Sequence, residues 1–97
     1  MKKIYIAGPM TGMPKLNRPA FKQHAIKIKK SGNIPLNPAV FPEGLRHEEY
    51  MDMCYPMVKI ADEIHMLPGW ENSKGAKMEF AWAEEWDKKI VFIGRVL

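Results

Sequence analysis

Two stretches of the chain carry the residue types of an anion site. Gly8-Pro9-Met10-Thr11-Gly12 and Pro68-Gly69-Trp70-Glu71-Asn72-Ser73-Lys74-Gly75-Ala76 each follow an apolar run and are rich in turn formers. Ser73 has the chemistry of a helix N-cap. The first turn behind it would present unpaired backbone N–H groups and about half a positive charge from the helix dipole, a natural seat for phosphate. Neither stretch is a Walker loop or a dinucleotide fingerprint, so ordinary capping and turning explains the spacing equally well. Glu79 follows Gly75 by four residues, which places both on one helix face about 6 Å apart along the axis. A missing side chain at Gly75 would let a ligand lie against the helix, anion at the start and reacting carbon near Glu79. Tyr5 could donate its hydroxyl to that carboxylate and orient it. The competing reading of Glu79 is a solvated helical glutamate paired with Lys or Arg.

These residues need elements to hold them. Residues 3–7 form a β-rich run that ends at Gly8-Pro9, where proline cannot donate to a ladder. From Asn17, a candidate N-cap, Phe21, Ala25 and Ile28 recur with helical period until Ser31-Gly32. Asn33 to Leu36 reads as a short strand, and residues 37–46, with Pro38, Pro42 and Gly44, as a connecting loop. A second helix is expected from about Glu48 to Ala61, kinked or restarted near Cys54 and Tyr55 by Pro56. Glu63 to Leu67 gives a third strand, and Lys74 to Asp87 a third helix burying Ala76, Phe80 and Ala83. Lys89 to Ile93 gives a last strand. Alternation of strand and helix argues for parallel βαβ units. The expected fold is a small three-layer α/β sandwich with a mostly parallel sheet of four to five strands, flavodoxin- or Rossmann-like, forming one domain over residues 1–97. In such sheets ligands bind beyond the carboxyl ends of the strands, where strand order reverses.

With 97 residues, 46% hydrophobic and 27% charged, the chain has the composition of an ordinary globule and is too short for a two-domain enzyme. Cys54 is the only cysteine, which excludes an internal disulfide and a Cys-based zinc site and suits a reducing compartment. The apolar run after Lys2-Lys3 stops at Gly8-Pro9, too short for an export signal, and no stretch reaches the length needed to span a bilayer. A cytoplasmic location with no membrane partner is therefore expected. Residues 1–46 hold nine Lys/Arg against one acid, a balance of +8, and residues 47–97 hold six against ten, a balance of −4. A solvated basic helix accounts for the first half. Nucleic-acid binding through Lys22, Lys27, Lys29 and Lys30 is disfavoured, because no aromatic platform interleaves those lysines. His24, His47 and His65 show no ligand spacing, so no metal site is expected. Trp82 and Trp86, four apart, read as a packing or dimer stripe, and Cys54 as a small buried hydrophobe.

As a set, the motifs Ile4 to Gly12, Asn37-Pro38, Ala61-Asp62, Leu67 to Glu71, Ser73, Gly75-Ala76 and Glu79 resemble those of a small branch of the nucleoside 2-deoxyribosyltransferase-like superfamily. The resemblance runs from the first strand through the third helix. It implies that Glu79 is the nucleophile toward the anomeric carbon of a deoxyribosyl group, that Tyr5 orients it, and that Ser73 helps hold a 5′-phosphate. Gly8, Pro9, Met10, Thr11, Gly12 and Gly75 would complete the substrate site, and Trp70 could stack on a base or pack on a neighbouring subunit. Neither an organic cofactor nor a metal is called for. Water as acceptor gives a hydrolase, and a second base gives a transferase.

One position departs from the pattern. Active relatives carry an aspartate eight residues before the residue matching Asp62, and this chain has Cys54 there, a poor proton donor. Asp52, moved inward by the Pro56 distortion, is the candidate replacement. Two readings stay open: an enzyme cleaving or exchanging the N-glycosidic bond of a deoxynucleoside or its 5′-monophosphate, and a non-catalytic nucleotide-binding or sensing module that has lost its acid. A chain this short has few walls to enclose a substrate, so a homodimer or higher homo-oligomer is expected.

Overall fold

The computed structural model describes residues 1–94; the last three residues of the expected 1–97 domain lie outside them. Four strands, β1 (Lys3–Ala7), β2 (Ile34–Leu36), β3 (Glu63–Met66) and β4 (Lys89–Phe92), alternate with three helices, α1 (Arg18–Lys30), α2 (His47–Ile60) and α3 (Lys74–Glu85). The sheet is parallel throughout, in the order β2-β1-β3-β4. This is the flavodoxin-like form of the three-layer sandwich, and its strand order reverses between β1 and β3. Tyr5 pairs with Ile64 and Ala7 with Met66 across that junction.

Period-two alternation divides the core between the two faces of the sheet. Ile4 and Ile6 turn toward α1, packing with Phe21, Ile28 and Leu67. Tyr5 and Ala7 turn the other way with Ile64 and Met66, under Cys54 and Val58 of α2 and Ala76 and Ala83 of α3. Both faces are thus covered, which is why β1 reads as a continuous apolar run rather than an alternating one.

Three local expectations change. The segment between β2 and α2 contains a short 3₁₀ turn, Pro38–Val40, where the Asn37 side chain accepts from the Ala39 N–H at 2.9 Å. Asn17 does precede α1, but in a left-handed conformation (φ 58°) and without capping it; its side-chain amide instead donates to the Pro9 carbonyl at 2.9 Å, tying the loop after β1 to the helix start. The helix α2 runs without a restart through Pro56. Both Pro56 and Asp52, whose carbonyl loses its helical partner, are exposed, so water can take the orphaned group.

Gly8 shows why the end of β1 must be slim. A Cβ there would lie 2.9 Å from the Cβ of Leu67, an atom fixed to the backbone of the neighbouring strand end. Gly8→Ala is expected to lower stability by about 1–3 kcal/mol, the usual result of overpacking a tight site. Urea denaturation with an unchanged midpoint would show that the two loops separate freely. Among the described residues no helix is long and apolar enough to cross a membrane.

Candidate active site at the β1–β3 switch point

The helix α3 buries Ala76, Glu79 and Ala83, positions i, i+3 and i+7 of one face. Glu79 is only 6% exposed, which excludes the solvated, lysine-paired glutamate. Its Oε2 accepts a hydrogen bond from the hydroxyl of Tyr5, itself fully buried on β1. The thiol of Cys54 on α2 also hydrogen-bonds to Glu79 and Tyr5. Three elements therefore converge on one carboxyl group.

Burial sets the electrostatics. It pushes the Glu79 carboxyl up to about 7, against the hydrogen bonds from Tyr5 and Cys54, which favour the charged form. The Tyr5 phenol is held well above its ordinary value by burial first and by the Glu79 charge next. Burial and the same charge push the Cys54 thiol up to about 12, so it stays protonated near neutral pH and donates rather than attacks. A carboxyl group poised near neutrality, with a fixed donor behind it, suits nucleophilic or acid–base work.

The carboxyl group opens on a cleft of about 150 Å³ beyond the carboxyl ends of β1 and β3. Gly8, Met10 and Thr11 of the loop after β1 form one wall, and Ser73, Gly75 and Glu79 form another. His47, Met51 and Cys54, at i, i+4 and i+7 of α2, close the third side. The Ser73 hydroxyl caps α3 by accepting from the Ala76 N–H at 3.1 Å. A Cβ on Gly75 would sit 3.3 Å from the Met51 sulfur, so the glycine lets the two helices approach as well as keeping the cleft open.

Four expected site residues lie elsewhere. Asp52 is exposed on an outer groove beside Tyr55, Lys74 and Trp82. Two residues along an unbroken helix amount to a rotation of about 200°, so Asp52 cannot share the inward face of Cys54. Trp70 begins a 3₁₀ turn, Trp70–Asn72, and stacks on Phe80 with centroids 4.7 Å apart and beside Phe92 at 5.8 Å, away from the cleft. Pro9 is buried behind the loop and Gly12 exposed beyond it; neither lines the cleft. Trp82 and Trp86 pack on α2, both meeting Tyr55 edge-on.

Sequence reasoning passed over His47 and Met51, although their spacing from Cys54 carried the signal. It also separated two histidines that the fold unites. His65 on β3 and His24 on α1 meet at 2.8 Å on the opposite face of the sheet, and the Glu63 carboxylate accepts from the other ring nitrogen of His65 at 3.1 Å. Burial pushes His24 down to about 4. Among the described residues no group of three or more His, Cys, Asp or Glu is arranged to hold a metal ion.

The molecule is a parallel α/β sandwich of the doubly wound class, with a buried, oriented carboxyl group at the switch point where such folds commonly bind ligands. Residues 2–92 match the family described as Domain of unknown function (DUF4406), and the chain belongs to that family. No curated protein matches it. Among solved structures, a 2-desoxiribosyltransferase from Leishmania mexicana is similar in fold, with a TM-score of 0.76 and 21% sequence identity. The match covers 95% of this chain and 63% of that one, so the chain spans less than two thirds of the length of its neighbour.

Proposed function

We propose that this protein cleaves or exchanges the N-glycosidic bond of a 2′-deoxynucleoside or its 5′-monophosphate, as a member of the nucleoside 2-deoxyribosyltransferase-like superfamily. The observation that carries the reading is Glu79, buried, held by Tyr5, and facing a cleft that begins at the capped amino end of α3. In this mechanism Glu79 attacks the anomeric carbon as the carboxylate. The bond from that carbon to the base nitrogen breaks, its electron pair leaves with the base, and a glycosyl ester forms. The base takes up a proton from water in the open cleft. Water then releases the sugar as a hydrolase would, or a second base takes it in a transfer. The Ser73 turn and the backbone of Gly8 to Thr11 anchor the charged tail of the substrate, and a second copy of the chain would enclose the open side of the cleft. The chemistry of the site calls on side chains alone, and the free Cys54 suits the reducing cytoplasm.

Incubation with a panel of deoxynucleosides and their monophosphates, scored for free base by chromatography, tests the proposal. Base release is expected from the parent and not from a Glu79→Gln protein. Release that persists in the variant would remove Glu79 from its role.

A second reading has its own observation. With Asp52 turned outward and the Cys54 thiol at about 12, neither of these two residues offers the acid that would protonate a departing base. The site would then bind a nucleotide without turning it over. Tight monophosphate binding by calorimetry with no base release favours this module, and turnover ends it.

A further inference from the structure

The face of the sheet turned away from Glu79 carries a second polar arrangement, and none of the chemistry proposed above draws on it. The Lys2 ammonium meets one oxygen of the Glu63 carboxylate at 2.8 Å, and the other oxygen accepts from Nε2 of His65 at 3.1 Å. Nδ1 of His65 in turn meets Nε2 of His24, on α1, at 2.8 Å. Glu63 is 7% exposed and the His65 side chain 13%, so little water reaches this row of groups. It ties α1 to the sheet beside the apolar contacts of Phe21 and Ile28 with Ile4 and Ile6.

Counting protons shows what the tie tolerates. Two ring nitrogens at this distance share one hydrogen, so one of them must offer a bare lone pair. The hydrogen bond from Lys2 holds the Glu63 carboxyl below its ordinary value, and the carboxylate keeps a proton on Nε2 of His65. With both rings neutral, Nδ1 of His65 accepts from Nε2 of His24. One added proton is accommodated, because His65 then donates from both nitrogens, to Glu63 and to His24, as a cation paired with a carboxylate. A second leaves two N–H groups facing each other on two cationic rings, and the contact cannot survive. Burial, a charge on His65 and Lys27 one turn further along α1 all oppose that proton, which pushes His24 down to about 4. The other charges nearby leave this balance in place. Lys89 of β4 lies 4.0 Å from Glu63, and Lys3 of β1 pairs with Asp62 at 3.5 Å. Lys15, in the 3₁₀ turn Pro14–Asn17 before α1, is exposed. β2 and the Pro38–Val40 turn, which also pack on α1, have no ionisable side chain.

The helix so held forms part of the cleft. Phe21, one turn before His24, lines it together with Leu16. We infer that the His24–His65 pair is an acid-released clamp: it fastens α1 to the sheet while the pair carries no more than one added proton, and a second proton frees the helix and the Phe21 wall of the cleft with it. Stability follows the same sign. Below the ordinary value of 6.5 the unfolded chain takes up the His24 proton while the folded chain refuses it, so stability complete above 6.5 is lost as pH falls toward about 4.

His24→Gln separates the clamp from the other groups that titrate. A glutamine amide can donate to Nδ1 of His65 or accept from it and takes up no proton, while the Glu79 titration is common to both proteins and cancels in their difference. Parent and variant are expected to melt together at pH 7.5. At pH 4.5 the variant should lie about tenfold further toward the folded state, a Tm higher by roughly 5–11 °C, the half-buried ring being partly screened by solvent. Hydrogen exchange in the parent should show protection of the α1 amides falling about tenfold relative to those of α3 between pH 7 and pH 4.5, with no such fall in the variant. A Tm difference that stays constant with pH, or α1 and α3 protection that move together, would overturn the inference. So would an NMR titration of the parent alone in which His24 protonates in the ordinary histidine range with α1 still protected.

Discussion

Glu79→Gln is expected to yield a protein that melts higher than the parent at pH 8, by roughly 12–24 °C, and identically near pH 4. The folded protein holds the Glu79 proton up to about pH 7, against an ordinary value of 4.5, with burial the cause. A pKa raised by folding adds stability in full below the unfolded value and loses it as pH rises through the folded value. Across the interval from 4.5 to 7 the unfolded chain has released its proton while the native state still holds it, so stability declines. Above it the native state carries a buried carboxylate at a penalty of about 3 kcal/mol. Glutamine has nearly the same shape, accepts from Tyr5 and carries no charge. For a domain of this size each kcal/mol moves Tm by roughly 4–8 °C. Melting curves of both proteins from pH 4 to pH 9 check the result, and a difference independent of pH would show that the parent does not strain to keep that charge. The expected gain in stability with loss of base release is the trade-off of a site built for chemistry.

Tyr5→Phe is expected to move the acid limb of the base-release profile to higher pH and to slow the reaction at pH 7 by about tenfold to a hundredfold. The hydroxyl of Tyr5 donates to Glu79 and holds its carboxyl below the value burial alone would set. Removing it raises Glu79 further, so less of the proposed nucleophile is ionised at neutral pH. The lost hydrogen bond to a charged group adds a penalty of about 1.5–3 kcal/mol where the carboxylate must form. The Cys54 thiol remains as a donor, which is why some activity should survive. Rates measured from pH 5 to pH 9 on both proteins decide the matter. A profile that drops uniformly without shifting would mean that Tyr5 packs the site but does not tune its charge.

What the sequence settled on its own is local. The apolar run ending at Gly8-Pro9, the periods of Phe21-Ala25-Ile28 and Ala76-Ala83, and the Ser73 cap specify β1, α1 and α3 because hydrophobic period and capping chemistry act within a few residues. Strand–helix alternation then leaves few ways to build the sheet. Residue types and motif likeness also singled out Tyr5, Ser73, Gly75 and Glu79, which the fold draws to one cleft and its floor. Tertiary structure decided which side of each element faces that cleft. Asp52 and Cys54 are two positions apart, yet only the rotation of α2 against the sheet places Cys54 inside and Asp52 outside. Trp70 turns to Phe80 and Phe92, and His24 meets His65 across 41 positions of chain. The unpaired nitrogen of His47 exists only because α2 and α3 close around it. Burial and hydrogen-bond pairing between distant segments are properties of packing, and the pKa of Glu79 follows from them, so neither can be read from residues taken in order.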